Sequence, residues 1–160
     1  MALYFVQHGV ALSKQQNPDR PLSNEGGLDV LSVAKRLQQL SVMPSAICHS
    51  GKTRAQQTAE IFADRLGISD VNARTGMGPN DEVQSFAKAL KNDGTMFVGH
   101  LPQLGKLVSY LVVGDENSDI VKFTNAAVVC IEQDESGFYI DWLLKPSTCV
   151  NLDIYNHNRY

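Results

Sequence analysis

The chain has 160 residues, 43% of them hydrophobic and 19% charged, which is an ordinary composition for a globular protein. Its formal net charge of -3 offers no general attraction to nucleic acid or to an anionic membrane surface. No apolar stretch approaches the roughly 20 residues that cross a bilayer, and the first residues lack the basic flank and cleavage site of a signal peptide. The length fits a single domain, residues 1–160. The three cysteines are odd in number and widely spaced, which argues against a disulfide framework, so we expect a cytoplasmic protein.

The first predicted strand, residues 3–6, ends on the tripeptide Gln7-His8-Gly9. A polar loop over residues 11–21 leads to Ser23, which is the predicted N-cap of a first helix. Apolar side chains recur in that helix at spacings of mostly three and four, as is typical of a helix with one buried face. The residues assigned to the buried face are Leu28, Leu31, Val33, Ala34, Leu37 and Leu40.

The remaining predicted elements alternate between strand and helix and end in a β-hairpin, while residues 71–81 receive no assignment. They are a strand at residues 46–48 that runs into His49-Ser50-Gly51, a helix from about Thr53 to Gly67, a helix near residues 82–91, a strand over residues 95–99 that runs into His100, a helix from about Pro102, and a hairpin of residues 126–133 and 138–145. This order predicts an α/β fold, a three-layer αβα sandwich with a mostly parallel mixed sheet.

Three predicted strands end at side chains that suit a phosphoryl group: His8, Ser50 with Arg54 close behind it, and His100. Because the carboxyl ends of parallel strands meet at one edge of a sheet, these side chains are expected to converge. The guanidinium of arginine presents a planar fork that matches phosphate oxygens, and helix N-termini add further N–H donors. A neutral imidazole is a nucleophile near neutral pH. The pattern therefore predicts a phosphoryl-binding site with a histidine nucleophile.

These motifs, in this order, resemble those of the histidine phosphatase superfamily, in particular its small SixA-like phosphohistidine phosphatases. The resemblance covers most of the chain to about residue 114 and implies a phosphoglycerate mutase-like fold. The matching segments are Leu3-Tyr4-Phe5-Val6-Gln7-His8-Gly9, Arg20-Pro21-Leu22-Ser23 with Gly26, Ser50-Gly51-Lys52-Thr53-Arg54-Ala55-Gln56-Gln57-Thr58-Ala59, and Val98-Gly99-His100-Leu101-Pro102.

The resemblance implies that His8 is the nucleophile and carries the phosphoryl group as a phosphohistidine intermediate. It implies that Arg54 and His100 bind the transferring phosphoryl group and stabilise its charge. Family members need no metal ion or other cofactor, because cationic side chains do the charge work, so none is expected here. Phosphate or substrate binding is assigned to Gln7, Gly9, Arg20 and Ser50.

One position departs from the family pattern. The superfamily signature usually reads Arg-His-Gly, and this chain has Gln7 in place of the arginine. Glutamine donates a hydrogen bond to a phosphate oxygen, but it brings no charge and makes no bidentate fork. Transition-state stabilisation is therefore expected to fall unless Arg20 or Lys52 compensates. A non-catalytic module that binds a phosphorylated ligand stays open as an alternative.

The leaving group decides between substrate classes. Larger superfamily members supply a carboxylic acid that protonates an alcohol leaving group, and the candidates here are Asp81 and Glu82, for which a role at a helix start is the simpler interpretation. A protonated imidazole leaves more easily than an alkoxide, so phosphohistidine needs less help from an acid. The sequence thus favours a histidine-phosphorylated protein, such as a phosphotransfer domain, as partner. A small phosphorylated substrate of a phosphomonoesterase is the alternative, and neither nucleic acid nor a membrane is expected as a partner.

Overall fold

The computed structural model describes residues 1–149, so residues 150–160, which match no motif of the family, lie outside the described part. Its strands and helices alternate before a closing hairpin. They are β1 (Leu3–Gln7), α1 (Asn24–Gln39), β2 (Ile47–His49), α2 (Thr53–Leu66), β3 (Val71–Ala73), α3 (Val83–Lys88), β4 (Met96–Gly99), α4 (Gln103–Val113), β5 (Val128–Asp134) and β6 (Gly137–Leu144), followed by a 3-10 turn at Pro146–Thr148.

The strands form one six-stranded mixed sheet in the order β3-β2-β4-β1-β5-β6. The β1–β4, β2–β4 and β2–β3 pairs are parallel, whereas β5 runs antiparallel to β1 and forms the hairpin with β6. The predicted α/β fold with a mixed sheet and a final hairpin is confirmed. Since β1, β2 and β4 are mutually parallel, their carboxyl ends lie at one edge of the sheet.

Side-chain alternation along the strands divides the apolar core between the two faces of the sheet. Val6 of β1 packs with the buried faces of α1 and α2, while Leu3 and Phe5 pack with those of α3 and α4. Helices therefore cover both faces, and the predicted three-layer arrangement is confirmed.

One segment without an assignment contains a strand, and two expectations about local structure were wrong. Residues 71–81 contain β3, a three-residue edge strand whose side chains are at best half-buried and so leave no apolar pattern in the sequence. Helix α3 ends at Lys88, three residues earlier than predicted. Leu28 and Leu40 do not face the core: they are 66% and 51% exposed, because Leu28 lies at the flank of α1 and Leu40 is its C-cap.

The three cysteines, Cys48, Cys130 and Cys149, are free thiols. None of the helices between residues 1 and 149 combines the length and the apolar character required to span a membrane.

Candidate active site

The structure brings His8, Arg54 and His100 together at the carboxyl edge of the sheet. His8 follows β1, His100 follows β4, and Arg54 lies in the first turn of α2. The Nε of Arg54 lies 3.2 Å from Nε2 of His8, and the imidazole rings of His8 and His100 are 5.0 Å apart between centroids. Two imidazoles and one guanidinium are therefore close enough together to contact a single phosphoryl group.

His8 is held as a neutral ring in one defined tautomer. Burial is the main cause that lowers the pKa of His8 from its usual 6.5 to about 4, with further lowering by the charges of Arg54 and Arg20. The Nδ1 of His8 lies 2.6 Å from the carbonyl oxygen of Gly9, which only accepts hydrogen bonds, so Nδ1 carries the proton. The lone pair of the neutral ring is therefore on Nε2, where it accepts a hydrogen bond from Arg54.

His100 is more deeply buried than His8, with 2% of its surface exposed against 9%. Burial lowers the pKa of His100 to about 3, and the neighbouring His8, Arg54, Lys52 and Arg20 lower it further. Its Nε2 shares a 2.6 Å hydrogen bond with the hydroxyl of Ser50. Its Nδ1 is buried and has no hydrogen-bond partner among the described residues.

Arg20 adds a second guanidinium to the surroundings of the site. Its Nε donates to the carbonyl oxygen of Leu12 at 3.0 Å, and its backbone has a positive φ of 49°, so the loop holds it in a specific position. Its charge lowers the pKa values of His8, His100 and Arg54. Repulsion among like charges at one place favours the binding of an anion there.

Gln7 and Gly9 flank the His8 side chain in different ways. The Oε1 of Gln7 is buried and lacks a hydrogen-bond partner within residues 1–149. At Gly9 a Cβ atom would lie 2.8 Å from Cγ2 of Val30 and 2.9 Å from the carbonyl oxygen of Gly26, which is closer than real Cβ atoms approach such neighbours. Gly9 is therefore required for the close approach of the His8 loop to α1.

The N-terminus of α1 touches the same loop from the other side. Ser23 caps the helix by accepting from the N–H of Gly26 at 2.9 Å, and its own N–H donates to the carbonyl oxygen of Val10 at 2.9 Å. A Cβ atom on Gly26 would lie 2.0 Å from that carbonyl oxygen. Because no side chain fits this gap, Gly26 fixes the distance between α1 and the segment that follows His8.

Two residues that support the site were not identified from the sequence. Thr58 is fully buried, and its hydroxyl accepts from the N–H of Gly9 at 3.1 Å and donates to the carbonyl oxygen of Arg54 at 2.7 Å. The side-chain amide of Asn125 donates to the carbonyl oxygen of His8 at 3.0 Å. A polar residue one turn after Arg54 on an otherwise apolar helix face was an available signal for Thr58. Nothing in the local sequence marks Asn125.

The two carboxylates considered as general acids are engaged elsewhere. Asp81 accepts from the N–H of Gly78 at 2.7 Å. Glu82 is the N-cap of α3 and accepts from the N–H groups of Gln84 and Ser85, each at 2.8 Å. No hydrogen bond within the described residues joins either carboxylate to His8, Arg54 or His100, and their role as general acid stays a prediction.

Comparison with known proteins finds a family model that matches the first part of the chain. The model of the histidine phosphatase superfamily (branch 1) matches residues 3–77, which include His8, Arg20 and Arg54. No match was found among curated protein sequences.

Several solved structures share the fold. The protein histidine phosphatase SixA in complex with tungstate is 27% identical, with a TM-score of 0.82 over 94% of this chain and 100% of that one. A SixA protein from Agrobacterium tumefaciens is 19% identical, with a TM-score of 0.75 over 91% and 97% of the two chains. Phosphoserine phosphatase from Entamoeba histolytica, in complex with 3-phosphoglyceric acid, is 15% identical, with a TM-score of 0.67 over 89% and 95%. The family model and the fold agree with the arrangement of His8, Arg54 and His100: residues 3–77 match the histidine phosphatase superfamily, and 94% of the chain shares the fold of a protein histidine phosphatase, which together support a phosphatase.

Proposed function

We propose that the protein is a metal-independent phosphohistidine phosphatase that uses His8 as its nucleophile and acts on phosphorylated histidine in a protein. The observation that carries this proposal is the neutral His8 ring, whose Nε2 lone pair faces Arg54 and lies beside His100. The likeness to the SixA structure, which holds the oxyanion tungstate, supports it.

In the first step of the proposed reaction, Nε2 of His8 attacks the phosphorus atom of the substrate. A bond from Nε2 to phosphorus forms while the bond from phosphorus to the substrate imidazole breaks. The second ring nitrogen of that imidazole is already protonated, so the ring keeps the electron pair of the broken bond and leaves as neutral imidazole. Water then attacks the phosphorylated His8 and releases inorganic phosphate. The hydrogen bond from Nδ1 of His8 to the Gly9 carbonyl stabilises the positive charge that the ring acquires in the first step.

The charge of the phosphoryl group is balanced by cationic side chains in this proposal. Arg54 donates to the phosphoryl oxygens with its guanidinium, and Arg20 adds charge from the rim. A bound dianion raises the pKa of His100, because it offsets the cations that lower that pKa in the free enzyme. Ser50 orients the His100 ring through the hydrogen bond to Nε2. Gln7 completes the binding of the oxygens through its amide, while Gly9 lets the His8 loop lie close against α1.

The leaving group favours phosphohistidine as the substrate. Loss of an alkoxide demands a strong general acid, and Asp81 and Glu82 are held by backbone N–H groups of their own loop and helix. An imidazole leaves readily once its second nitrogen is protonated, so the reaction places a smaller demand on a carboxylic acid.

The test is phosphate release from a histidine-phosphorylated phosphotransfer domain, from free phosphohistidine and from p-nitrophenyl phosphate. We expect the wild-type protein to release phosphate from both phosphohistidine substrates, and His8→Ala to lose at least about a thousandfold in kcat. Rapid quenching with labelled substrate is expected to trap an acid-labile, alkali-stable phosphoryl group on the wild-type protein. His49→Asn is the matched control: it removes another histidine at the same sheet edge but keeps an acceptor for the N–H of Gly51, and it retains most of the activity.

Other results would redirect the proposal. Activity that survives in His8→Ala would exclude the covalent mechanism. Turnover of p-nitrophenyl phosphate without turnover of either phosphohistidine substrate would identify a small-molecule phosphomonoesterase. Binding of inorganic phosphate without turnover of any substrate would identify a binding module in which Gln7 has abolished catalysis.

A further inference from the structure

A groove of about 570 Å³ lies between α1 and α2, outside the cluster of His8, Arg54 and His100. Its apolar lining includes Leu22, Leu28, Leu31 and Ile61. Leu28 is 66% exposed although the spacing of apolar residues in α1 predicts it on the buried face. A single exposed leucine is common on protein surfaces, but several apolar side chains around one concavity are typical of a binding surface.

One end of the groove lies near the rim of the phosphate site. Leu22, which lines one end, is two residues from Arg20, and its N–H donates to Oε1 of Gln57 on α2 at 2.7 Å. Gln57 is one turn from Arg54. Since an α-helix rises 1.5 Å per residue, Ile61 and Asp64 lie about 10 and 15 Å along α2 from Arg54. A ligand that places its phosphoryl group at Arg54 and fills the groove must therefore extend over that distance.

The charges that line the groove have the opposite sign to those of the phosphate site. Among the lining residues only Glu60 and Asp64 are charged, and both are exposed carboxylates. The phosphate site, in contrast, contains Arg20 and Arg54. A partner surface that complements both regions carries an anion at one end. At the other end it carries an apolar side chain next to a lysine or arginine. A small phosphorylated metabolite does not span the two regions, whereas the surface of a phosphorylated protein does.

We propose that this groove is a docking site for the histidine-phosphorylated protein substrate, which inserts an apolar side chain flanked by a basic residue about 10–15 Å from its phosphorylated imidazole. This inference rests on the proposed function, because it requires that the substrate is a protein. It assigns recognition of the partner to α1 and α2 and leaves the chemistry to the strand ends. The groove contributes to KM for the protein substrate and has no effect on free phosphohistidine.

The first test replaces Leu28 by glutamine, which keeps helix propensity and removes the apolar contact. For a histidine-phosphorylated phosphotransfer domain as the substrate, Leu28→Gln is expected to raise KM about 3- to 10-fold with little change in kcat. For free phosphohistidine, kcat/KM is expected to stay within about twofold of the wild-type value. Leu40→Gln is the matched control, because Leu40 is similarly exposed at 51% but lies at the other end of α1 and does not line the groove.

The second test reverses one charge. Asp64→Lys is expected to raise KM for the same phosphorylated domain about 3-fold or more at low salt, with a smaller effect at high salt. Glu135→Lys, an equally exposed acidic position in the turn of the hairpin, changes the net charge by the same amount and is expected to leave KM unaltered.

The outcomes separate the docking site from the proposed function. If the wild-type protein releases no phosphate from any phosphohistidine substrate, the proposed function fails and the docking site fails with it. If the wild-type protein is active but Leu28→Gln behaves like Leu40→Gln on the phosphorylated domain, the docking site alone is overturned. If the wild-type protein is dimeric by light scattering and Leu28→Gln makes it monomeric, a second copy covers the groove and the docking site is likewise overturned.

Discussion

The two histidines of the site have different surroundings. Around His8 the polar groups are paired: Nδ1 with Gly9, Nε2 with Arg54, and the backbone carbonyl with Asn125. Around His100 they are only partly paired: Nε2 bonds to Ser50, but its own Nδ1 and the Oε1 atoms of Gln7 and Gln103 are buried without partners in the described chain. Gln7 lies opposite Gly99 in the sheet, directly beside His100, and Gln103 is three residues further along.

This difference indicates that the two halves of the site have different tasks. Buried polar groups are nearly always hydrogen-bonded, so a group without a protein partner is free to bond to a ligand or to solvent. The half around His8 is organised by the protein alone, as a nucleophile requires. In the proposed reaction, the half around His100 has Nδ1 of His100 left over as a donor for the phosphoryl group, whereas the unpaired amide oxygens of Gln7 and Gln103 only accept hydrogen bonds. The following predictions test this division, from the largest expected effect to the smallest.

Arg54→Lys is expected to reduce kcat/KM by about a hundredfold or more. Lysine keeps the positive charge but loses the planar fork, so it does not hold the lone pair of His8 and the phosphoryl oxygens in the same way. Steady-state kinetics on the phosphohistidine substrate measures the loss, and circular dichroism controls for folding. Retention of activity within about threefold would mean that charge alone is sufficient and that the organisation around His8 is unimportant.

Asn125→Ala is expected to lower kcat about 10-fold with little change in KM. The substitution removes the donor at 3.0 Å from the His8 carbonyl, while the N–H of Ala126 still donates to that carbonyl at 3.2 Å, so His8 is loosened but not released. Comparison of kcat with KM distinguishes loss of positioning from loss of binding. An equal rise in KM would instead place Asn125 in substrate binding.

Gln7→Arg addresses the half around His100. Restoring the usual arginine of the family is expected to tighten the binding of inorganic phosphate about 3- to 10-fold, since it replaces a neutral hydrogen bond by a charge-assisted one. Calorimetric titration with phosphate measures the change, with Gln56→Lys as a control that adds a cation at an exposed position of α2 outside the site. Weaker binding by Gln7→Arg would show that the site is built around the glutamine.

The smallest expected effect is on stability as a function of pH. The pKa values of His8 and His100 in the folded protein, about 4 and about 3, are below the usual 6.5 of an unfolded chain. The unfolded state therefore binds more protons below pH 6.5, so the stabilisation is complete above that pH and is lost as the pH falls toward 4.

A fall in melting temperature of about 5–15 °C between pH 7 and pH 5 is expected from this linkage. In His100→Asn the fall should be smaller, because one of the two depressed groups is absent. A melting temperature that is equally pH-dependent in both proteins would contradict the assignment of His100 as a buried neutral ring.

The sequence was sufficient to predict the convergence of His8, Arg54 and His100, for a physical reason. Each follows a short apolar strand or opens the helix after one, and parallel strands place such positions at a common edge. Asn125 could not be predicted from the sequence, because it contacts His8 from 117 positions away and lies in a loop without a distinctive pattern. β3 was missed because an edge strand of three partly exposed residues leaves no hydrophobic signal. Leu28 was assigned to the core because the spacing of apolar residues does not distinguish a buried position from one that lines a groove at the edge of the buried helix face.

The contact between Gly26 and Val10 has a consequence for substitution tolerance. A methyl group at position 26 would have to occupy the space of a carbonyl oxygen 2.0 Å away, so even alanine would push the first helix off the loop behind His8. A saturation mutagenesis screen for activity would then find that Gly26 tolerates substitution as poorly as His8 does. Such a screen would not distinguish the steric requirement for glycine at this position from a catalytic role.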